Sequence, residues 1–369
     1  MNHPLSTADV TVEPWTEPQF LAAREPWTEL LSRSRADPVF LSWDWQVVWW
    51  QLHRRAFALK PFFLAARANG RLLGIAPLCR RKARLWGPLT LQRLEVTGEV
   101  WREAGTVMSE YLDLVVDHRH EDAVLEAFAR YLGSRPDWGQ LVAANTRESS
   151  LVARLAERCR AQSPSAHLDR TDALTAYRLD LRGGFSEWVR SLPGATRRKA
   201  VAHRRRCPGL HHVERDYRAL GEALDIMAGF HESRWGRVHF RGLRREFLLE
   251  LAERDGFRDR IRLSMLCDGD RPVSVMYNLR AGDTEYNIQS AFMPDYSRGI
   301  SLGYLHIGYC AEALCESGVA YLDLLAGPGR SRDYKRDFAG EATEIATRRL
   351  TRAPAAAAAY RLARRWRGR

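Results

Sequence analysis

Lysine is nearly missing from this chain. Of 57 basic residues in 369, only Lys60, Lys82, Lys199 and Lys335 are lysines. So strong an arginine bias reflects genome composition, and arginine content by itself argues for no phosphate-binding role. Cysteine pairs are missing too. Cys79, Cys159, Cys207, Cys267, Cys310 and Cys315 form no CxxC motif and lie mostly in apolar segments, which reads as free thiols in a reducing compartment. No run approaches 18 uninterrupted apolar residues, and the opening MNHPLSTADVTVEPW has neither a basic n-region nor a hydrophobic h-region. Neither a membrane span nor a secretory leader is expected, and the chain reads as cytoplasmic. Its 26 glycines and 16 prolines show no period, which excludes a collagen-like repeat. The pairs His118-x-His120 and His211-His212 lack an accompanying ligand set, so no metal site is assigned.

What is present is ample apolar material, 45% of residues, on a chain with formal charge +12. That length suits one large domain or two ordinary ones. A short strand is expected at residues 10 to 13, then helices at 18 to 34 and 43 to 53; the second carries Trp45, Val48 and Trp49 at helical spacing and reads as core. Residues 62 to 79 read as a hairpin turning at Asn69-Gly70, because both residues accept positive φ. A strand at 111 to 116 (YLDLVV), a helix at 121 to 132 and a strand at 139 to 145 follow. The second half repeats the grammar: a strand at 175 to 181, helices at 185 to 206, 219 to 233 and 241 to 255, three strands across 261 to 292, a helix at 301 to 317 and a strand at 319 to 327 (VAYLDLLAG). The expected fold is therefore mixed α/β in two similar domains, with the boundary in the breaker-rich stretch from Arg160 to Asp172.

Two segments concentrate positive charge. Every charged residue from Arg190 to Arg206 is basic, Arg197 and Arg198 among them. This stretch suits the border of an active cleft, a funnel for RNA or a phosphorylated acceptor, or a solvated face. The tail 348 to 369 has eight arginines and no acid, so it can rest on an anionic membrane surface or stand as a soluble terminus.

The segment from Thr284 to Phe338 carries the chemistry. A strand (TEYNIQSAF) feeds a helix through a bend containing Arg298, Gly299, Ser301 and Gly303. The first N–H groups of a helix have no internal partner and can hold a phosphate; the glycines allow close approach and Arg298 adds a charged donor, while Ser301 can instead cap the helix. Asp323 sits inside an apolar strand, where a carboxylate needs a partner. Its candidate roles are a general base, a buried ion pair or a cap to nearby backbone, and Glu285 and His231 are the other candidate bases. His231 and Trp235 lie four apart on one helix and share a face suited to an acceptor.

In order and spacing, Asp268-Gly269, the Tyr286 strand, Pro294-x-Tyr296, Gly299, Gly303, Gly318, Asp323 and Tyr334-Lys335-x-x-Phe338 resemble the GNAT-like acyltransferases of the cellulose-biosynthesis (CelD/BcsL) family, relatives of the FemAB aminoacyl transferases. FHESRWG (230 to 236) and the Arg197-Arg198 helix also occur in place. The resemblance covers about residues 170 to 345 and is looser before them. It implies two tandem acyl-CoA N-acyltransferase-like domains: a degenerate companion at 1–165, the domain carrying the site at 170–347, and a basic tail at 348–369.

It further implies acyl-CoA as donor, an amine acceptor such as an envelope or exopolysaccharide sugar precursor, and a donor site of Arg298, Gly299, Ser301, Gly303, Tyr286 and Gln289. Lys335, Asp323 and His231 become the catalytic candidates. Lys335 matches a lysine that in FemAB relatives meets the acceptor's phosphate or the reacting carbonyl. Trp235, Tyr334, Arg197 and Arg198 become the acceptor side. Ser301 stands where the acetyltransferase loop has its first glycine, which keeps charged tRNA open as the donor and a non-catalytic scaffold in polysaccharide assembly open as a role.

Overall fold

The computed structural model describes residues 9–86, 89–107, 109–163, 165–236, 241–326, 334–338 and 340–352, with the backbone alone at 85, 86, 89 and 235. The basic tail beyond 352 and the Trp235 side chain therefore lie outside the described residues. The chain forms two compact units, one of residues up to Ala173 together with those from Glu344, the other Leu174–Thr343.

The first unit opens with β1 (Thr11–Trp15), α1 (Glu17–Leu21), α2 (Arg24–Ser32) and α3 (Trp43–Ala56). Thr16 and Gln19 form a capping box on α1, which ends before the expected long helix can form, and Ser42 caps α3. Trp45, Trp49 and Trp50 are fully buried, as the helical spacing of the tryptophans predicts. Next come β2 (Lys60–Pro61), β3 (Phe63–Ala68), β4 (Arg71–Ala76), β5 (Leu78–Trp86), β6 (Leu89–Val96), β7 (Val115–Val116), α4 (Glu121–Ser134), β8 (Gln140–Arg147) and α5 (Leu151–Ala161). The hairpin of β3 and β4 turns at Asn69 and Gly70, with φ of 49° and 76°. One sheet runs β1-β3-β4-β7; in another, β8, β6, β5 and β2 are neighbours in that order. β6 and β8 pair in parallel, Arg93 opposite Gln140, so α4 lies within their crossover connection.

β9 (His167–Asp180) leads into the second unit, followed by α6 (Phe185–Ser191), α7 (Gly194–Ala200), β10 (Leu210–Arg215), α8 (Leu220–Trp235), α9 (Leu243–Ala252), β11 (Ile261–Asp268), β12 (Arg271–Ala281), β13 (Thr284–Phe292), α10 (Leu302–Glu316) and β14 (Tyr321–Asp323), with β15 (Glu341–Thr351) last. The single helix expected at 185 to 206 is broken. Pro193 ends one piece and precedes the next, and Ala202–Arg206 tightens into a 3-10 turn. The strand order is β10-β11-β12-β13-β14-β9.

α10 packs Tyr304, Ile307, Cys310, Ala311 and Leu314 onto Met276, Leu179, Leu322 and Leu324, beside Trp188 and Phe338. Burying each large aliphatic side chain contributes roughly 1.5–3 kcal/mol. Gly308 is what lets α10 approach so closely: a Cβ there would run into the Ala200 carbonyl. The strand expected at 319 to 327 is shorter, only Tyr321–Asp323, because Leu325 turns to φ 56°.

Candidate active site

β13 has two different edges. Along β12 it pairs throughout, with one irregularity: Tyr277 faces Gln289 but Asn278 faces Asn287, so Ile288 is an extra, bulged residue. Along β14 it pairs only at Thr284, Glu285 and Tyr286, opposite Tyr321, Leu322 and Asp323. Past Tyr286 no described strand pairs with that edge, and the two parallel strands part there. β14 meanwhile stays on β9, where the Leu324 N–H donates to the Tyr177 carbonyl at 2.8 Å.

The N-terminus of α10 follows from the same strand. Ser301 occupies the cap position but its side chain caps nothing, and the first turn carries no acid. Among the described residues the N–H groups of Ser301, Leu302 and Gly303 have no acceptor. Gly299 holds φ 74°, a conformation costly for a residue with a Cβ. Arg206 reaches this bend from the 3-10 turn. Its Nη2 donates to the Arg298 carbonyl at 3.0 Å, and a Cβ at Gly299 would sit 3.6 Å from its guanidinium. A free helix N-terminus beside two exposed arginines suits an anion by charge and by hydrogen bonding alike.

Around it the expected residues fall into groups. Gly303 faces Phe292, whose ring would lie 3.2 Å from a Cβ there, and the Arg234 guanidinium stacks 4.5 Å from the same ring. His231 is buried, its Nε2 3.4 Å from the Ser290 carbonyl of β13. Tyr286 is buried opposite Asp323, and Gln289 is half-buried beside the bulge. Tyr334 is half-buried with its ring 5.9 Å from that of Tyr304. Tyr304 donates to Asp337 at 2.5 Å and lies under the Lys199 ammonium at 4.6 Å. Arg197 and Arg198 are exposed on α7.

The charged candidates inside the sheet are engaged. Glu285 accepts from Asn278 at 2.8 Å and from Arg280 at 2.9 and 3.2 Å. Burial pushes its carboxyl up, against the pull of Arg280. Asn287 extends the chain, donating to Asn278 at 2.7 Å and accepting from Ser290 at 2.8 Å, so hydrogen bonds brace both sides of the bulge. Asp323 accepts the Leu325 N–H at 2.8 Å, and the Lys335 ammonium donates to the carbonyls of Leu324, Leu325 and Ala326 at 2.6, 3.0 and 3.3 Å. Sequence reasoning missed Arg206, Asn278, Asn287 and Phe292. Arg206 stood within a basic stretch in which nothing distinguished it, and it is 92 residues from its partner Arg298.

Residues 194–336 match the family model of the acetyltransferase (GNAT) domain. A search of curated proteins returned no match. Among solved structures, the chain is similar to FemX, at 12% identity over 88% of this chain and 95% of that one, TM-score 0.58. It is also similar to a conserved protein of unknown function from Bacteroides thetaiotaomicron VPI-5482, at 13% identity over 93% of this chain and 100% of that one, TM-score 0.56. A tandem GNAT protein from the clavulanic acid biosynthesis pathway matches over 94% and 99%, at 13% identity and TM-score 0.47. Likenesses at these identities are likenesses of fold. The fold is mixed α/β in two units, and the stretch that matches the GNAT domain model lies within the second.

Proposed function

We propose that the second unit moves an acyl group from acyl-CoA to an amine, the acceptor being an envelope or exopolysaccharide sugar precursor, as the CelD/BcsL resemblance implies. One observation carries this reading: an acid-free helix N-terminus, with three amides open and Arg206 and Arg298 beside it, packs on Phe292 at the end of the strand whose edge β14 leaves past Tyr286. In this reading the amides and arginines hold the donor's pyrophosphate, and its acylated arm runs along β13 past Tyr286 and Gln289.

The chemistry asks little more. The amine nitrogen bonds to the thioester carbonyl carbon, the carbon–sulfur bond breaks, the departing sulfur takes a proton, and the amine loses one. Orientation of the two reactants and N–H groups aimed at the developing oxyanion supply most of the acceleration. The bulge at Ile288, braced by Asn278 and Asn287, presents irregular backbone to that oxygen. His231 takes the amine proton, with Tyr334, Arg197 and Arg198 toward the acceptor.

The fold likeness to FemX and the exposed Arg197 and Arg198 favour a second reading, transfer of an amino acid from tRNA. Calorimetric titration separates the two. Saturable heat with CoA supports acyl-CoA transfer. Silence with CoA and salt-sensitive binding of aminoacyl-tRNA supports the second reading, and silence with both leaves a non-catalytic scaffold.

A further inference from the structure

Lys335 and Asp323 are the charged residues expected nearest the reaction, yet their contacts converge on a turn of the main chain. The three N–H donors of an ammonium match the three carbonyls of Leu324, Leu325 and Ala326, at 2.6, 3.0 and 3.3 Å. The Asp323 carboxylate holds the same turn through the Leu325 N–H at 2.8 Å. Between them Leu325 has φ 56°, a region that a side chain with a Cβ avoids unless its surroundings enforce it. The last paired position of β13 and β14 is Tyr286 with Asp323, the residue at which this turn begins, while the Leu324 N–H remains bonded to Tyr177 in β9. The chain leaves one neighbour and keeps the other at the point where both charges act.

We infer that Lys335 and Asp323 are positioning residues that hold the β13–β14 gap open for the donor's arm. This rests on the donor site proposed above. Neither group exchanges a proton with a substrate. The ammonium replaces the N–H donors that the carbonyls of a continued strand would have found in β13, and the carboxylate satisfies the amide that the turn exposes. Without them Leu325 relaxes toward extended backbone and the strands close.

The test compares CoA with adenosine 3′-phosphate 5′-diphosphate, which keeps the pyrophosphate and lacks the arm, by calorimetry. Lys335→Met and Asp323→Ala are expected to weaken CoA about tenfold or more, the loss of charge-assisted hydrogen bonds, while the armless fragment binds within about twofold of wild type. Asp323→Asn, whose side-chain oxygen still accepts from Leu325, stays near wild type. Leu325→Gly, free to adopt positive φ, restores CoA binding in the Lys335→Met background. Unchanged CoA affinity in Lys335→Met, or failure of Leu325→Gly to restore it, overturns the inference; Asn and Ala at 323 being equally inactive in turnover with equal CoA affinity points to a base instead.

Hydrogen exchange at the Leu325 amide reads the turn without any donor, and should speed about tenfold or more in Asp323→Ala. Wild-type protein that protects this amide but binds no CoA overturns the donor reading and leaves the turn in place. CoA binding beside a rapidly exchanging Leu325 amide overturns the turn.

Discussion

The two units each contain a helix within the crossover between paired parallel strands, and the helices begin in opposite ways. In the first unit α4 opens with Glu121 and Asp122, and Arg35, Arg154 and Arg158 bond to those carboxylates. In the second, α10 opens with no acid, and Arg206 and Arg298 stand beside amides that no described group accepts from. The arginines at the start of α4 pair with its acids, whereas Arg206 and Arg298 at the start of α10 are exposed. A helix N-terminus attracts anions wherever it occurs, and at α4 the first-turn carboxylates compete with any phosphate.

The largest expected effect comes from making the second unit resemble the first. Ser301→Asp puts a carboxylate at the cap of α10, which favours the helix by about 0.5–1 kcal/mol but fills the anion site. Donor affinity should fall at least about thirtyfold in calorimetry, from the loss of roughly 2 kcal/mol of charge-assisted contacts, with thermal stability equal or higher. Unchanged affinity would end the contrast between the units.

A smaller loss, about tenfold in donor affinity with turnover at saturating donor unchanged, is expected for Arg206→Ala. The reverse experiment sharpens the contrast further. Glu121→Gln with Asp122→Asn should cost α4 under about 1 kcal/mol and create no donor binding.

The smallest effect separates the units by pH. Burial, then the neighbouring carboxylates Glu95, Glu110 and Asp172, push Glu99 up to about 8. A raised carboxyl holds its proton in the folded state, so the stability it contributes is lost as pH rises from its unfolded value through 8. Glu99 is half-buried, so Glu99→Gln should recover about 1 kcal/mol at pH 8.5 and little at pH 5, by thermal melts. Burial moves His306 of the second unit the other way, well below its usual range, so its contribution fades as pH falls through about 6.5.

Local signals made much of the fold legible. Asn69-Gly70 turns a hairpin wherever it is placed between apolar strands, and the helices at 121 to 132 and 301 to 317 emerge as Glu121–Ser134 and Leu302–Glu316. β5 was not legible, because Arg81 points inward on Glu95 at 3.1 Å and destroys the alternation that marks a strand. The strand at 319 to 327 misled for a related reason. Leu325 turns because Lys335, ten residues on, holds its carbonyl, and no residue pattern carries that. Within the candidate site, the loop from Arg298 to Gly303 was legible from helix-end chemistry; the part played by Arg206 depended on a contact between distant segments.

The most direct test of the donor site is the amide spectrum of the isotopically labelled protein during titration with CoA. The Leu302 and Gly303 resonances should move saturably while those of Asp122 and Ala123, at the start of α4, stay still. CoA that binds without moving Leu302 and Gly303, or that moves Asp122 and Ala123 instead, would contradict the assignment of the donor to the second unit.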